Sequence, residues 1–501
     1  MFDINIMATL LKVIESQEDK NAFCIAKKFY TYGQFAQCIS KVRNELQTRA
    51  IESKNIGLIE NDDLETYASI FALWLEGLAY VPISSDAPID RNEDVIKQSN
   101  ISVIIDSSES TKFSSYDLIE SSKLTNLKLN LKTTIISEED LVYILFTSGT
   151  TGRPKGVPIS RSNLSAFVKS YEDLALNITN EDRCLQMFNL TFDLSVVSYL
   201  IPLLKGACVF TIPKNEIKYS YVYELLDEDD ISVTMMVPSI IQYLRPYFDE
   251  MNFPKMKYSL FCGEALSLKL MEEWSECIPN ASIINVYGPT EHTVFCTQYK
   301  YDSEKALNYN GSLSIGKQIG NSNLIIIDEN GKLVPSGEKG ELCLIGDQLM
   351  EGYWNNEKKS KEVFLNIEID GVFHKAYRTG DLCFKDAQGF FFYSGRLDFQ
   401  TKIQGFRVEL SEIECHAKDY LDKINVVALA IENKLGNNEI GLVIESEETD
   451  TEDLFNYLKS KMPQYMIPTR LRFEPIFPLN INGKIDRKVL TALFLKNKEN
   501  E

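Results

Sequence analysis

The chain has 501 residues, more than one hydrophobic core usually organises, so at least two domains are expected. With 44% apolar and 25% charged residues, the composition excludes a disordered or membrane-embedded polypeptide. The 52 Lys and Arg against 72 Asp and Glu leave a net charge of −20, which opposes general binding to nucleic acid or anionic lipid, so an anionic ligand must be held by local donors.

The N-terminal stretch MFDINIMATLLKVIESQED carries Asp3 where a signal peptide needs positive charge, and no apolar run approaches the roughly 18 residues of a membrane span. A cytoplasmic protein without membrane insertion is expected. From there to about residue 300, short β-branched runs (NIGLIE, AYVPI, SVIID, CVFTI, SVTMMV) alternate with helix-like stretches such as ETYASIFALWLEGL. That alternation predicts an α/β fold with mostly parallel strands, in a large N-terminal domain of several layers. From about 310 the texture changes to short strands and turn dipeptides, with Asn330-Gly331 and Ser336-Gly337 predicting hairpins in a β-rich subdomain. After Gly395 a further strand and helix mixture, QTKIQGFRVELSEIECHAKDY, INVVALAIENK and EIGLVIES, predicts a small α+β C-terminal domain. The boundary is placed at Asp398, giving domains 1–397 and 398–501. The ten cysteines are scattered singly, without a C-x-x-C pair, and read as reduced thiols; His292, His374 and His416 are too dispersed to suggest a metal site.

The strongest local signal is Leu145-Phe146-Thr147-Ser148-Gly149-Thr150-Thr151-Gly152-Arg153-Pro154-Lys155-Gly156, which follows the apolar run LVYIL. Glycines let backbone N–H groups approach anionic oxygens, hydroxyls add donors and Lys155 adds charge, which together describe a phosphate-gripping loop. It lacks the G-x-x-x-x-G-K-[ST] order of the common P-loop. Four later segments follow: Asn285-Val286-Tyr287-Gly288-Pro289-Thr290-Glu291, Tyr377-Arg378-Thr379-Gly380-Asp381, Gly395-Arg396-Leu397-Asp398 and Asn482-Gly483-Lys484-Ile485-Asp486-Arg487.

These five segments, in this order, resemble the adenylate-forming superfamily of acyl-CoA synthetases, luciferases and amino acid adenylation domains. The resemblance covers nearly the whole chain. It implies that ATP is bound by Thr147, Ser148, Gly149, Thr150, Thr151 and Lys155, by Gly263, Glu264 and Ala265, and by Asn285, Val286, Tyr287 and Gly288. Tyr287 offers a flat face for a purine, Asp381 can accept from the ribose hydroxyls, and Tyr393 and Arg396 complete the nucleotide side. Thr290 and Glu291 suit a phosphate and its Mg²⁺, a hard ion that takes oxygen ligands. Lys484 is implied to be the catalytic lysine that offsets charge as a carboxylate attacks the α-phosphate. The small domain is implied to swing about Asp398 between two half-reactions, with Lys402 and Gly405, beside Arg407, lining the thiol tunnel in the second.

The substrate is addressed by Asp193. At this position amino acid adenylation domains place the carboxylate that pairs with the substrate ammonium, and a carboxylate buried against a plain hydrocarbon acid would carry a desolvation penalty. A competing reading makes Asp193 the N-cap of a helix beginning LSVVSYL. The other implied pocket positions, Leu194, Val197, Met236, Leu260, Cys262, Val286, Val294 and Phe295, are uncharged and favour a small aliphatic side chain, alanine first. Phe261-Cys262-Gly263-Glu264 and GRLDFQTK resemble the D-alanine:carrier protein ligases, a stand-alone branch. The implied reaction is formation of aminoacyl-AMP with release of pyrophosphate, then transfer to the phosphopantetheine thiol of a separate carrier protein. A monomer is expected, with no nucleic-acid partner. An acyl-CoA synthetase for a short acid and a non-catalytic nucleotide- or carrier-binding homologue are the alternatives.

Overall fold

The computed structural model describes residues 6–108, 110, 112–132, 136–149, 152–421, 424–447, 451–479 and 485–496. Thr150, Thr151 and Lys484 lie outside the described residues. The chain divides into two compact units, one of Met1–Ser85, Ile96–Phe146 and Gly156–Leu397, the other of Asp86–Val95, Thr147–Lys155 and Asp398–Glu501. The smaller unit thus takes in the phosphate-loop segment as well as everything after Leu397.

Among the described residues, the larger unit is built on a nine-stranded sheet whose central strands, Tyr258–Phe261, Val233–Met236, Arg183–Gln186 and Cys208–Thr211, run parallel. A second, six-stranded sheet carries Asn55–Glu60 at its centre, parallel to Ala79–Ser84 and Val103–Asp106. All six residues of Asn55–Glu60 are buried, as a strand covered on both faces requires. The helix Leu64–Leu75 is apolar nearly all round and buried along its length, and its start is fixed by Asp63, whose carboxylate accepts from Thr66 N. Trp74 packs there with its indole N–H donating to Val142 O at 2.9 Å, so the largest apolar side chain leaves no orphaned donor.

The β-rich part is an antiparallel sheet of Asn323–Ile327, Gly340–Ile345, Phe364–Ile369, Val372–Lys385 and Phe391–Arg396. Its first turn falls at Asn330-Gly331, with Gly331 at φ 78° and the Asp328 carboxylate accepting from Asn330 N. In the smaller unit, Gln400–Ile403 and Phe406–Glu409 form a hairpin joined by Gln404 and Gly405, both at positive φ, the geometry of a two-residue hairpin turn. Its own core gathers Val408, Ile413, Val426, Leu442, Leu458 and Met466 under a three-stranded sheet.

Candidate active site

Three adjacent strands end together in the larger unit. Val233–Met236, Tyr258–Phe261 and Ser282–Tyr287 are parallel, with Met236, Phe261 and Asn285 side by side. Ligands in open α/β sheets bind beyond such carboxyl ends, and the segments following two of these strands, Cys262–Ala265 and Gly288–Glu291, are those singled out above. Gly263 takes φ 94°, a conformation side chains resist, and lets Glu264 turn back so that its carboxylate accepts from Ser239 N at 2.8 Å. Ala265 is exposed beside it.

The turn after Tyr287 is tight. Cys296 N donates to Tyr287 O at 2.8 Å, and a Cβ on Gly288 would lie 2.3 Å from Phe295 Cα, so the position requires glycine. Thr293 and Val294 both adopt positive φ, 46° and 72°, which is costly for a β-branched residue. The surroundings hold this shape. Gln348, buried, donates its amide to Phe295 O at 2.9 Å and Thr293 O at 3.2 Å, while Thr293 Oγ1 donates to Gln348 O at 2.6 Å. Glu291 is fully buried in the turn Thr290–His292 and accepts from Tyr353 Oη at 2.6 Å, with Tyr377 Oη a further 3.4 Å on. Neither Gln348 nor Tyr353 lies in the five segments singled out from the sequence.

His292, next in the chain, is also fully buried, and burial pushes its imidazole down to about 4. A base depressed in the fold stabilises above its unfolded value of about 6.5 and loses that contribution as pH falls towards 4, about 3 kcal/mol in all. We therefore expect urea-unfolding free energy to fall more steeply between pH 7 and pH 5 in the wild type than in His292→Gln. Parallel slopes in the two proteins would remove His292 from the pH response.

Asp381 and Arg396 face each other across the pair Val372–Lys385 and Phe391–Arg396. Asp381 Oδ1 accepts from Arg396 Nη1 at 2.5 Å and Oδ2 from Tyr287 Oη at 2.5 Å, while Asp381 N donates to Thr379 Oγ1 at 3.0 Å. Burial and the adjacent Asp381 charge hold the Tyr287 phenol protonated, so it donates. Each carboxylate oxygen keeps a second acceptor direction, which leaves capacity for ribose hydroxyls. Asn285 points its amide at Ser314 O, 2.9 Å away, and shores up the strand; Tyr393 lies on the strand Phe391–Arg396, partly buried.

Asp193 is 4% exposed and stands at the N-cap position of the helix Leu194–Lys205, yet its side chain makes no cap hydrogen bond and its backbone is helical. The capping reading therefore fails. Burial raises the phenols of Tyr80 and Tyr143, and the Asp193 charge adds to both, as the second influence on Tyr143, whose Oη has no hydrogen-bond partner among the described residues. Leu194, Val197, Leu260, Cys262, Val286, Val294 and Phe295 are all buried. Strand register separates Met236 from them: Met235, Leu260 and Ile284 share one face, whereas Met236 shares the other with Phe261 and Asn285. Val197 and Leu260 meet Met235, Ile201 and Cys184 at a cavity of about 20 Å³, room for roughly one water or methyl group.

Within the smaller unit, the segment expected to grip phosphate meets carboxylate oxygens. Gly149 N donates to Glu412 Oε2 at 3.0 Å, and Lys155 Nζ lies 3.7 Å from Glu409 Oε1. Ser148 Oγ donates to Arg407 O at 2.8 Å, and Thr147 Oγ1 is buried with no hydrogen-bond partner among the described residues. The carboxylates show what the loop's donors are suited to: oxygens carrying negative charge. Gly149 is obligatory, since a Cβ there would lie 2.1 Å from Arg153 O. Asp398 is exposed, its Oδ1 accepting from Gln400 N, and Lys402 lies on the hairpin that Gly405 turns. Among the described residues no group of three or more His, Cys, Asp or Glu could hold a metal, and no helix is long and apolar enough to cross a membrane.

The model of the AMP-binding enzymes matches residues 11–354, and the chain belongs to this family, whose members use ATP. It is 30% identical to the D-alanine–D-alanyl carrier protein ligase of Bacillus licheniformis, over 97% of this chain and 99% of that one. It is 34% identical to the ligase of the same name from Listeria monocytogenes serotype 4b, over 83% and 84%. In structure it is similar to the Vibrio cholerae adenylation domain AlmE in complex with glycyl-adenosine-5′-phosphate, with a TM-score of 0.85 at 24% identity, covering 99% of this chain and 98% of that one.

Proposed function

We propose that this enzyme activates a small aliphatic amino acid, alanine first, as aminoacyl-AMP and passes it to the phosphopantetheine thiol of a separate carrier protein. The observation that carries the reading is the buried carboxylate of Asp193, released from helix capping and set at the start of a helix that turns Val197 toward Leu260. A buried carboxylate at this position suits an ammonium, and the uncharged residues carried over beside it, Val197 and Leu260 among them, favour a short aliphatic side chain. The names of the ligases at 30% and 34% identity point the same way.

In the first half-reaction a carboxylate oxygen of the amino acid attacks the α-phosphorus of ATP; the bond to the β-phosphate oxygen breaks and pyrophosphate leaves. Thr147, Ser148, Gly149 and Lys155 present donors to the phosphates, with Thr150 and Thr151 assigned to the same loop by resemblance. Asp381, Tyr287 and Arg396 orient the nucleoside. Glu291, with Thr290, would hold Mg²⁺, and a single buried carboxylate fits an ion that otherwise keeps waters and substrate phosphates as ligands. When bound, it would neutralise charge on the leaving pyrophosphate. Lys484 is assigned to the developing charge at the α-phosphate. In the second half-reaction the carrier thiolate attacks the acyl carbon and AMP leaves, with Asp398 as hinge and Lys402 and Gly405 along the thiol's path. The reading includes a cytoplasmic monomer, where ATP and a carrier are both at hand.

Pyrophosphate exchange across a panel of amino acids and simple carboxylic acids, followed by loading of candidate carriers, tests the proposal. Exchange is expected with alanine and carrier loading after it. Exchange confined to acids without an amine would overturn the assignment of Asp193.

A further inference from the structure

The loop that delivers Asp193 is short and largely irregular. It leaves the strand Arg183–Gln186, turns through Asn189–Phe192, with Phe192 N donating to Asn189 O at 2.9 Å, and enters the helix Leu194–Lys205. Such a turn does not define a carboxylate position to a fraction of an ångström without outside support.

That support comes from the other sheet. Glu60 ends the strand Asn55–Glu60, is 4% exposed, and is not among the residues the reaction needs. Its Oε1 accepts from Asn189 Nδ2 at 3.0 Å and its Oε2 from Thr191 N at 3.2 Å, so one carboxylate grips both ends of the turn. The amide of Asn189 is fixed in orientation because its oxygen accepts from Lys218 Nζ at 2.7 Å. Lys214 Nζ donates to Glu60 O at 2.7 Å, anchoring the strand end itself. Burial pushes the Glu60 carboxyl up, while Lys214, the Thr191 N–H, Asn189 and Lys218 pull it back toward the charged form. A buried charge with this many directed partners is a structural clamp with a defined polarity: cation, amide oxygen, amide N–H, carboxylate, backbone N–H.

We propose that Glu60 is a positioning residue for amino acid recognition, setting the Asp193 carboxylate through the Lys218–Asn189–Glu60–Thr191 relay. This rests on the reading of Asp193 as the ammonium partner. The relay's polarity supplies the test. In Glu60→Gln either orientation of the new amide sets its NH₂ against a donor, Asn189 NH₂ or Thr191 N–H, and Asn189 cannot flip without turning two donors together at Lys218. In Asn189→Asp two carboxylates meet. In the double variant Glu60→Gln/Asn189→Asp each donor of the relay again faces an acceptor, and the Ser84 hydroxyl, 3.5 Å from the same Glu60 Oε1, can accept as well as donate.

Alanine- and ATP-dependent pyrophosphate exchange is measured for the wild type, both single variants and the double. Each single variant is expected to raise KM for alanine about tenfold, the loss of one charge-assisted hydrogen bond, with KM for ATP unchanged, and the double variant to restore it. Unchanged alanine KM in the single variants, an equal rise in both KM values, or no recovery in the double variant overturns the inference while leaving the role of Asp193 standing. A single variant too unstable to assay leaves the double against the wild type, where an alanine KM still raised about tenfold also overturns it. Absence of alanine-dependent exchange in the wild type overturns both.

Discussion

Replacing Asp193 by alanine is expected to raise KM for alanine by two to three orders of magnitude, because an ammonium buried without its partner costs about 3–5 kcal/mol and each 1.4 kcal/mol is a factor of about ten. The structure makes this an interpretable experiment. Asp193 makes no cap hydrogen bond to the helix Leu194–Lys205, so its removal does not uncap that helix. KM for ATP should stay near its wild-type value, since Asp381, Tyr287 and Arg396 form a separate network of their own. An alanine KM unchanged in Asp193→Ala would show that the carboxylate faces protein alone.

Lys484→Ala is expected to lower kcat for adenylation by about 10²–10³, the measure of one preorganised donor to charge developing in a transition state, about 3–4 kcal/mol. Binding of ATP should be nearly unaffected, because the contact is strongest when pyrophosphate is leaving and not in the ground state. Transfer from preformed alanyl-AMP to a thiol should also survive, since the lysine is assigned to the first half-reaction alone. Burst measurement of adenylate formation separates these steps. Wild-type adenylation rates in the variant would take Lys484 out of the mechanism.

How far the sequence discloses the site depends on whether a residue acts through its neighbours in the chain or across the fold. The runs NIGLIE, AYVPI, CVFTI and SVTMMV read as parallel strands because their burial on both faces is written in continuous β-branched residues, and each is such a strand. Asp193, Glu291 and Asp381 stand in local motifs and could be named directly. Tyr353 and Gln348 could not, since each acquires its role by meeting a turn more than 50 residues away, Glu291 in one case and Phe295 in the other. Glu60 is still more remote, 129 residues from Asn189, and as an isolated glutamate at the end of an apolar run it resembles any solvated charge. Met236 illustrates a different limit. A strand presents successive residues to opposite faces, so a position carried over with a one-residue offset lands on the wrong side of the sheet, and Met235 occupies the face of Leu260 instead. Whether Asp193 caps its helix is likewise not legible in the sequence, because capping and charge pairing both ask for an aspartate at the same place in the chain.

A crystal structure of the enzyme with a non-hydrolysable alanyl-adenylate analogue tests the assignment most directly. The account predicts the alanyl ammonium within about 3 Å of an Asp193 carboxylate oxygen, its methyl group toward Val197 and Leu260, and the ribose hydroxyls on Asp381. An ammonium turned elsewhere, with Asp193 bonded to protein groups alone, would contradict it.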